Sequence, residues 1–292
     1  GVPSTVRGDA DERRAVLDRH VAATVALAAD AAEGRAPAPE FVIWPENAVD
    51  IDPLVNADAA NAVTVAARAV DAPILIGAVI DAPDDPTRAA NVGIVWSPET
   101  GPGEMYIKRH PVPFGEYIPF RSVLAPLVGR FDRIPRDFIP GDTAGVLDVG
   151  PARVGDVICF EIAYDEVVRD AVVSGGRVIV VQTNNATFAG LGQPEQQIAM
   201  SRLRAVEHGR AVLVAATSGI SAVISPNGSM VAELPEGATG HLVSATPLRD
   251  TLTLADRLGE WPEVLAALAG LAAMVWAAVR RRGSAGRARD AA

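Results

Sequence analysis

Three observations predict an α/β fold. Short runs rich in valine and isoleucine alternate with helix-patterned stretches, apolar residues fill 49% of 292 positions, and several apolar runs end on a polar or charged residue. Alternation of this kind builds layered sheets covered by helices, with sites gathering just beyond the strand ends. The apolar content is ample for a large core. With 36 acidic and 26 basic residues the formal net charge is -10, and aromatic residues make up 5% of the chain. That balance argues against a nucleic-acid partner, which needs a concentrated cationic surface and rings for stacking.

The elements follow in chain order. Residues 9–32 have a loose apolar helical face (Val16, Val21, Val25, Leu27, Ala28), with Asp9 or Asp11 as candidate caps. Residues 41–44 form a buried-type strand stopped by Pro45, which leaves Glu46 just past its end. The alanine-rich helix 56–70 and the apolar strand 73–80 complete a strand, helix, strand unit. A turn cluster at 81–87 leads to strand 91–96, and the loop 97–103 returns the chain through 105–107 to Lys108, Arg109 and His110. Residues 111–140 are proline-broken yet carry Phe114, Phe120, Leu124, Leu127, Val128, Phe131, Ile134, Phe138 and Ile139. Such a stretch suits a lid or arm, or a long loop packed on the core.

Strands are expected at 144–149 and 153–158, the second running into Cys159. A helix over 164–173, a buried strand over 177–182 and a helix over 193–208 follow. Four further strands are expected at 211–216, 221–225, 229–233 and 241–245, the middle pair joined by an Asn227-Gly228 turn. There is no internal repeat and no linker before about residue 255.

After Trp261 and Pro262 the segment 264–279 contains sixteen residues without a charge, followed by Arg280, Arg281 and Arg282. This pattern is expected to make a membrane-spanning helix over 261–282, the alternative being an alanine-rich buried helix. With cations on the inner side, residues 1–260 would lie outside the cell membrane and the tail 283–292 in the cytoplasm.

Cys159 is the single cysteine, so it forms no internal disulfide and makes a poor metal site alone. It is either a small buried hydrophobe or a nucleophile at a strand end. Glu46 and Lys108 also stand at strand ends. A carboxylate could take the thiol proton, and an ammonium would favour the thiolate and then the charge on a tetrahedral intermediate. A cysteine–histidine pairing would draw on His20, His110, His208 or His241, of which His110 is near the lysine in sequence.

At these residues the chain resembles the nitrilase superfamily, and more closely the catalytic domain of the apolipoprotein N-acyltransferases. The resemblance covers roughly residues 38–245. It rests on Ile-Trp-Pro-Glu46, Tyr-Ile-Lys108-Arg-His-Pro-Val-Pro-Phe-Gly-Glu116-Tyr-Ile-Pro, Gly155-Asp-Val-Ile-Cys159-Phe-Glu161, Thr183-Asn-Asn-Ala-Thr-Phe188, residues 201–210 and residues 217–222. It implies a four-layer αββα sandwich over residues 1–255 with Glu46 as base, Lys108 as orienting cation and Cys159 as nucleophile. Glu116 resembles a supporting carboxylate, Glu161 the acidic residue two beyond the nucleophile, and Phe160 stands where the family usually has tyrosine. Asn185 and Thr187 also depart from the family's Ser-Asn-Asp-Ala-Trp-Phe. The implied reaction moves an acyl chain from a phospholipid through a Cys159 thioester to the N-terminal amine of a diacylated apolipoprotein, with no cofactor and no metal. Gly1-Val-Pro resembles the family's segment just after its first domain strand, so the chain is expected to lack that strand. A soluble amidase or carbamoylase would share the triad, and an inactive interaction domain would not need it.

Overall fold

The computed structural model describes residues 10–124, 134–186 and 190–289. Gly1, Val2, Pro3, Asp9, Leu127, Val128, Phe131, Thr187, Phe188 and residues 290–292 lie outside the described residues.

Helix α1 (Ala10–Ala32) leads to a short strand β1 (Val42–Ile43), helix α2 (Ala57–Val70) and strands β2 (Ile74–Ala82), β3 (Asp85–Ser97) and β4 (Gly101–Ile107). Asn56 starts α2 by accepting from the Asp58 and Ala59 N–H groups, which the first turn otherwise leaves unpaired. The expected turn cluster at 81–87 shrinks to two residues, because β3 begins at Asp85 and pairs back on β2. These four strands form one sheet in the order β1-β2-β3-β4, with β1 parallel to β2 and the rest antiparallel.

The chain then passes through the four-residue helix α3 (Arg121–Leu124) into β5 (Val146–Val149) and β6 (Ala152–Ile158). A 3-10 turn, Cys159–Ala163, joins β6 to α4 (Asp165–Val173). Next come β7 (Val178–Thr183), α5 (Gln193–His208), β8 (Val212–Ala216), β9 (Ser221–Ile224) and β10 (Met230–Leu234). The second sheet has the order β10-β9-β8-β7-β6-β5, with parallel pairing through β6, β7 and β8. Residues 241–245, expected as a strand, form no ladder. His241 instead approaches Asp30 at 3.5 Å.

The period-two alternation of each strand sorts its side chains between two faces. Ile74, Ile76, Ile94 and Trp96 of the first sheet pack with Leu17, Val63, Ala66 and Ala67 of α1 and α2. On the second sheet Val157, Ile179, Val181 and Val212 pack with Val167, Val168, Val172 and Ala205 of α4 and α5. Leu75, Val95 and Tyr106 meet Val154, Ile158, Val178 and Val180 between the sheets. The layers are therefore α, β, β, α, as the sequence resemblance implies. Fully buried Val, Leu and Ile side chains in such layers each contribute roughly 1.5–3 kcal/mol.

The membrane helix expected at 261–282 is corrected by the structure. Helix α6 (Leu254–Leu258) leads to α7 (Trp261–Arg289), but among the described residues no helix is long and apolar enough to cross a membrane. The uncharged run is sixteen residues. At 1.5 Å per residue it reaches about 24 Å against a hydrocarbon core of about 30 Å. Eight of those residues are alanine or glycine, and Glu263 and Arg280 border the run. The Arg280 guanidinium lies 4.2 Å from the Trp276 ring centre. The cell-membrane localisation, the outer placement of residues 1–260 and the cytoplasmic tail all depended on that span and fall with it.

Close backbone contact fixes the loop after β1. A Cβ at Gly77 in β2 would collide with the Pro45 carbonyl oxygen and lie 2.8 Å from Glu46 Cα. Gly77→Ala is expected to lower stability by about 1–3 kcal/mol in thermal unfolding, since backbone cannot yield as a side chain can. Gly270→Ala on α7, where nothing lies within 4 Å, should leave the transition unchanged or raise it slightly.

Candidate active site

Glu46, Lys108, Glu116 and the Cys159–Ala163 turn that carries both Cys159 and Glu161 converge at one end of the sandwich. Glu46 follows β1, Lys108 follows β4, and Cys159 follows β6. The Lys108 side chain is 2% exposed, and its Nζ donates to Glu46 Oε1 at 3.1 Å and to Glu116 Oε1 at 3.0 Å. Burial alone would lower its proton affinity, but the charges of Glu46 and Glu116 outweigh burial and raise it, so the group is an ammonium.

Asn91 on β3 completes this cluster. Its Nδ2 donates to Glu46 Oε1 at 2.8 Å and to Glu116 Oε1 at 2.7 Å, and its backbone carbonyl accepts from the Lys108 backbone N–H at 2.9 Å. The remaining oxygens are also held, Glu46 Oε2 by the Asn184 N–H at 2.9 Å and Glu116 Oε2 by the Val112 N–H at 2.6 Å. Thr217 donates through Oγ1 to the Glu46 carbonyl at 2.7 Å, so both backbone and side chain of Glu46 are fixed.

Cys159 has φ of 56°, the left-handed region that non-glycine residues seldom occupy. The turn between β6 and the 3-10 helix imposes it and leaves the side chain half-buried rather than packed away. Thr183 Oγ1 lies 3.4 Å from Sγ, and Gln197 on α5 donates to the Cys159 carbonyl at 3.0 Å. Burial and the adjacent Glu46 push the thiol up to about 12 against the opposing pull of Lys108. The resting nucleophile is therefore a neutral thiol that needs a base at the moment of attack.

Glu161 is fully buried and binds backbone rather than Lys108. It accepts from the Ile158 N–H at 2.9 Å, the Arg109 N–H at 2.6 Å and the His110 N–H at 3.0 Å, with the Tyr106 hydroxyl donating as well. It thus ties the chain after Lys108 to the turn that carries Cys159. Burial raises its proton affinity, and these donors and Lys108 oppose the rise. Phe160 is 49% exposed and meets Tyr164 edge to face. His110 stacks on the same Tyr164 ring at 4.3 Å.

Among the described residues no histidine bonds to Cys159. His20 faces Trp44, His208 bonds Asp256, and His241 approaches Asp30. With His110 stacked on Tyr164, the contacts of these four rings give a cysteine–histidine pairing no support. Asn91 and Gln197 were missed in the sequence, where Asn91 showed only as a polar residue opening an apolar strand. Asn184 and Thr183 sit inside a motif that was noted without a role for either.

Asp50 adds a pH-dependent cost beside the site. Its burial, together with the nearby charge of Glu46, pushes the carboxyl up to about 7, while the Asn47 amide and Arg13 oppose the rise. The folded state then holds the proton more tightly than the unfolded state. Stability should fall as pH rises from about 4 to about 7, by up to ~1.4 kcal/mol per unit, and level off above. Urea unfolding of Asp50→Asn should show a flatter pH dependence and greater stability than wild type at pH about 8.

The sequence profile of the family described as Carbon-nitrogen hydrolase matches residues 15–255. Apolipoprotein N-acyltransferase of Mycolicibacterium smegmatis is 44% identical over 268 residues, covering 90% of this chain and 45% of the relative. The protein of the same name from Azotobacter vinelandii is 31% identical over 288 residues, covering 96% and 53%. The chain spans about half the length of these curated relatives. Among solved structures, a nitrilase-superfamily amidase from Nesterenkonia AN1 superposes with a TM-score of 0.55 at 20% identity, covering 77% of this chain and 81% of the amidase, which supports the αββα fold. With the profile matched over most of its length and its sheets layered in the same way, this chain belongs to the carbon-nitrogen hydrolase family.

Proposed function

We propose that the chain is an acyl-transferring catalytic domain in which Cys159 carries the acyl group as a thioester. The observation that carries this reading is the buried Lys108 ammonium held between Glu46 and Glu116 at the strand end next to Cys159. Glu46 takes the thiol proton as sulfur attacks the acyl carbon. Lys108 stabilises the oxyanion of the tetrahedral intermediate. As that intermediate collapses, the bond to the leaving oxygen or nitrogen breaks and Glu46 returns the proton to it. An incoming amine or water then attacks the thioester, giving an amide or an acid and restoring the thiol. Glu116 and Asn91 hold Lys108 and Glu46 in register.

Two acceptors follow from this scheme. Water makes the enzyme an amidase or carbamoylase, a reading supported directly by the family's description as carbon-nitrogen hydrolases. An amine makes it a transferase, supported by relatives named for N-acylation of apolipoproteins, one at 44% identity. In the finer form of the second reading a phospholipid is the acyl donor and the N-terminal amine of a diacylated lipoprotein the acceptor. The half-exposed Phe160 ring beside the nucleophile suits an apolar acyl chain.

Intact-mass measurement separates these outcomes. The full chain is incubated with a small aliphatic amide, or with detergent-dispersed phospholipid with and without a diacylated lipopeptide. Transfer predicts one acyl group on Cys159, released by hydroxylamine and passed to the lipopeptide. Hydrolysis predicts turnover of the small amide alone. Cys159→Ala is expected to lower either activity at least about 10³-fold, and Glu46→Gln about 10²–10⁴-fold. A Cys159→Ala protein of undiminished activity would sink the thioester scheme.

A further inference from the structure

Between the two sheets, whose facing sides are mostly apolar, lie two buried polar side chains besides Asn91. Asp156 on β6 and Gln182 on β7, both fully buried, point into the layer opposite Gly93 on β3. A Cβ at Gly93 would collide with Asp156 Oδ2 and lie 2.9 Å from Gln182 Oε1, so the three residues share one small space. Among the described residues neither oxygen of the Asp156 side chain has a hydrogen-bond partner, and neither does Gln182 Oε1. Leaving such acceptors buried and unpaired is unfavourable, and more so if the carboxyl is charged.

The orientation of the Gln182 amide is determined by its other end. Nε2 donates to the Trp44 carbonyl at 2.5 Å and faces the Leu75 carbonyl at 3.4 Å. Turning the amide over would set Oε1 against two carbonyl oxygens, so Oε1 is turned away from them, to the side of Gly93 where Asp156 Oδ2 also lies. Acceptors facing acceptors need a shared proton. Burial first, and then the nearby Glu161 carboxylate, raise the proton affinity of Asp156 against the opposing pull of the Val157 N–H, which does not reach hydrogen-bond geometry.

We infer that Asp156 is a neutral carboxylic acid donating to Gln182 Oε1, and that this pair positions Glu46 against Cys159 across the two sheets. The path is short. Asp156 precedes Cys159 by three residues on β6, Gln182 precedes Thr183, whose hydroxyl meets Cys159 Sγ, and the Gln182 amide grips the Trp44 carbonyl two residues before Glu46. Asp156 and Gln182 are positioning residues, and their effect on the reaction rests on the thioester reading above.

The protonation state is tested without activity. An infrared difference spectrum of wild type against Asp156→Asn at neutral pH should contain the carbonyl stretch of a protonated carboxylic acid, shifted in heavy water. A spectrum with only the carboxylate bands would overturn the inference. The positioning role is read from the rate of acyl-adduct formation on Cys159, followed by intact mass with the acyl donors above. Asp156→Asn replaces the O–H donor by an N–H donor and should keep the rate within about threefold, whereas Asp156→Ala should lower kcat about tenfold or more with KM nearly unchanged. Equal loss in both variants, or loss in neither, would defeat the positioning role. Should Asp156→Ala fail to fold, Gln182→Leu provides the same comparison. If wild type forms no adduct from any donor, the thioester reading fails while the infrared result still stands or falls independently.

Discussion

The constraint on which this structure depends is a single buried positive charge. Lys108 lies at the end of β4 with almost no contact with water, where an isolated ammonium would cost several kcal/mol or lose its proton. Glu46 and Glu116 remove that cost only because each is itself held by further donors, Asn91 to both and backbone N–H groups to each. A carboxylate that already accepts two or three bonds cannot drift, so the lysine cannot drift either. The loops after β1, β4 and β7 are therefore arranged around one charge.

That arrangement determines the kind of chemistry available. Burial and Glu46 keep the Cys159 thiol protonated, so the site differs from those in which a neighbouring cation preforms a thiolate. Proton removal is left to the moment of attack, which places the demand on the geometry between base and sulfur. The strained φ at Cys159, the Gln197 grip on its carbonyl and the contact of Thr183 with Sγ all serve that geometry. Glu161, the acidic residue two beyond Cys159, acts through the backbone. It spends its oxygens on the backbone of Ile158, Arg109 and His110 and so joins the two strand ends.

The C-terminal helix shows how a composition signal can mislead. A run of apolar residues closed by three arginines reads as a membrane span, yet a helix advances only about 1.5 Å per residue. Alanine and glycine fill half of the run, so it is uncharged without being strongly apolar. Length and side-chain volume decide the matter, and neither reaches what a bilayer requires.

Much of the fold was legible in the sequence because strand and helix periods are local properties. The apolar runs that became β2, β6, β7 and β8 and the patterns that became α2, α4 and α5 lie within a residue or two of where the pattern put them. Residues 241–245 carried a strand pattern but pair with neither sheet, and pattern alone does not supply a partner. The strand-end positions of Glu46, Lys108 and Cys159 were also readable, since a polar residue that stops an apolar run stands out. Convergence was not. Asn91, Gln197, Asp156 and Gln182 each interrupt an ordinary strand or helix, and nothing local distinguishes them from tolerated polar residues. Their significance comes from what lies across the layer, Glu46 and Glu116 for Asn91 and the Trp44 carbonyl for Gln182. The sequence by itself determined the elements and the reactive groups at their ends. Only the tertiary structure decided which buried acceptors meet which donors, because those pairings span 25 to 138 residues of chain.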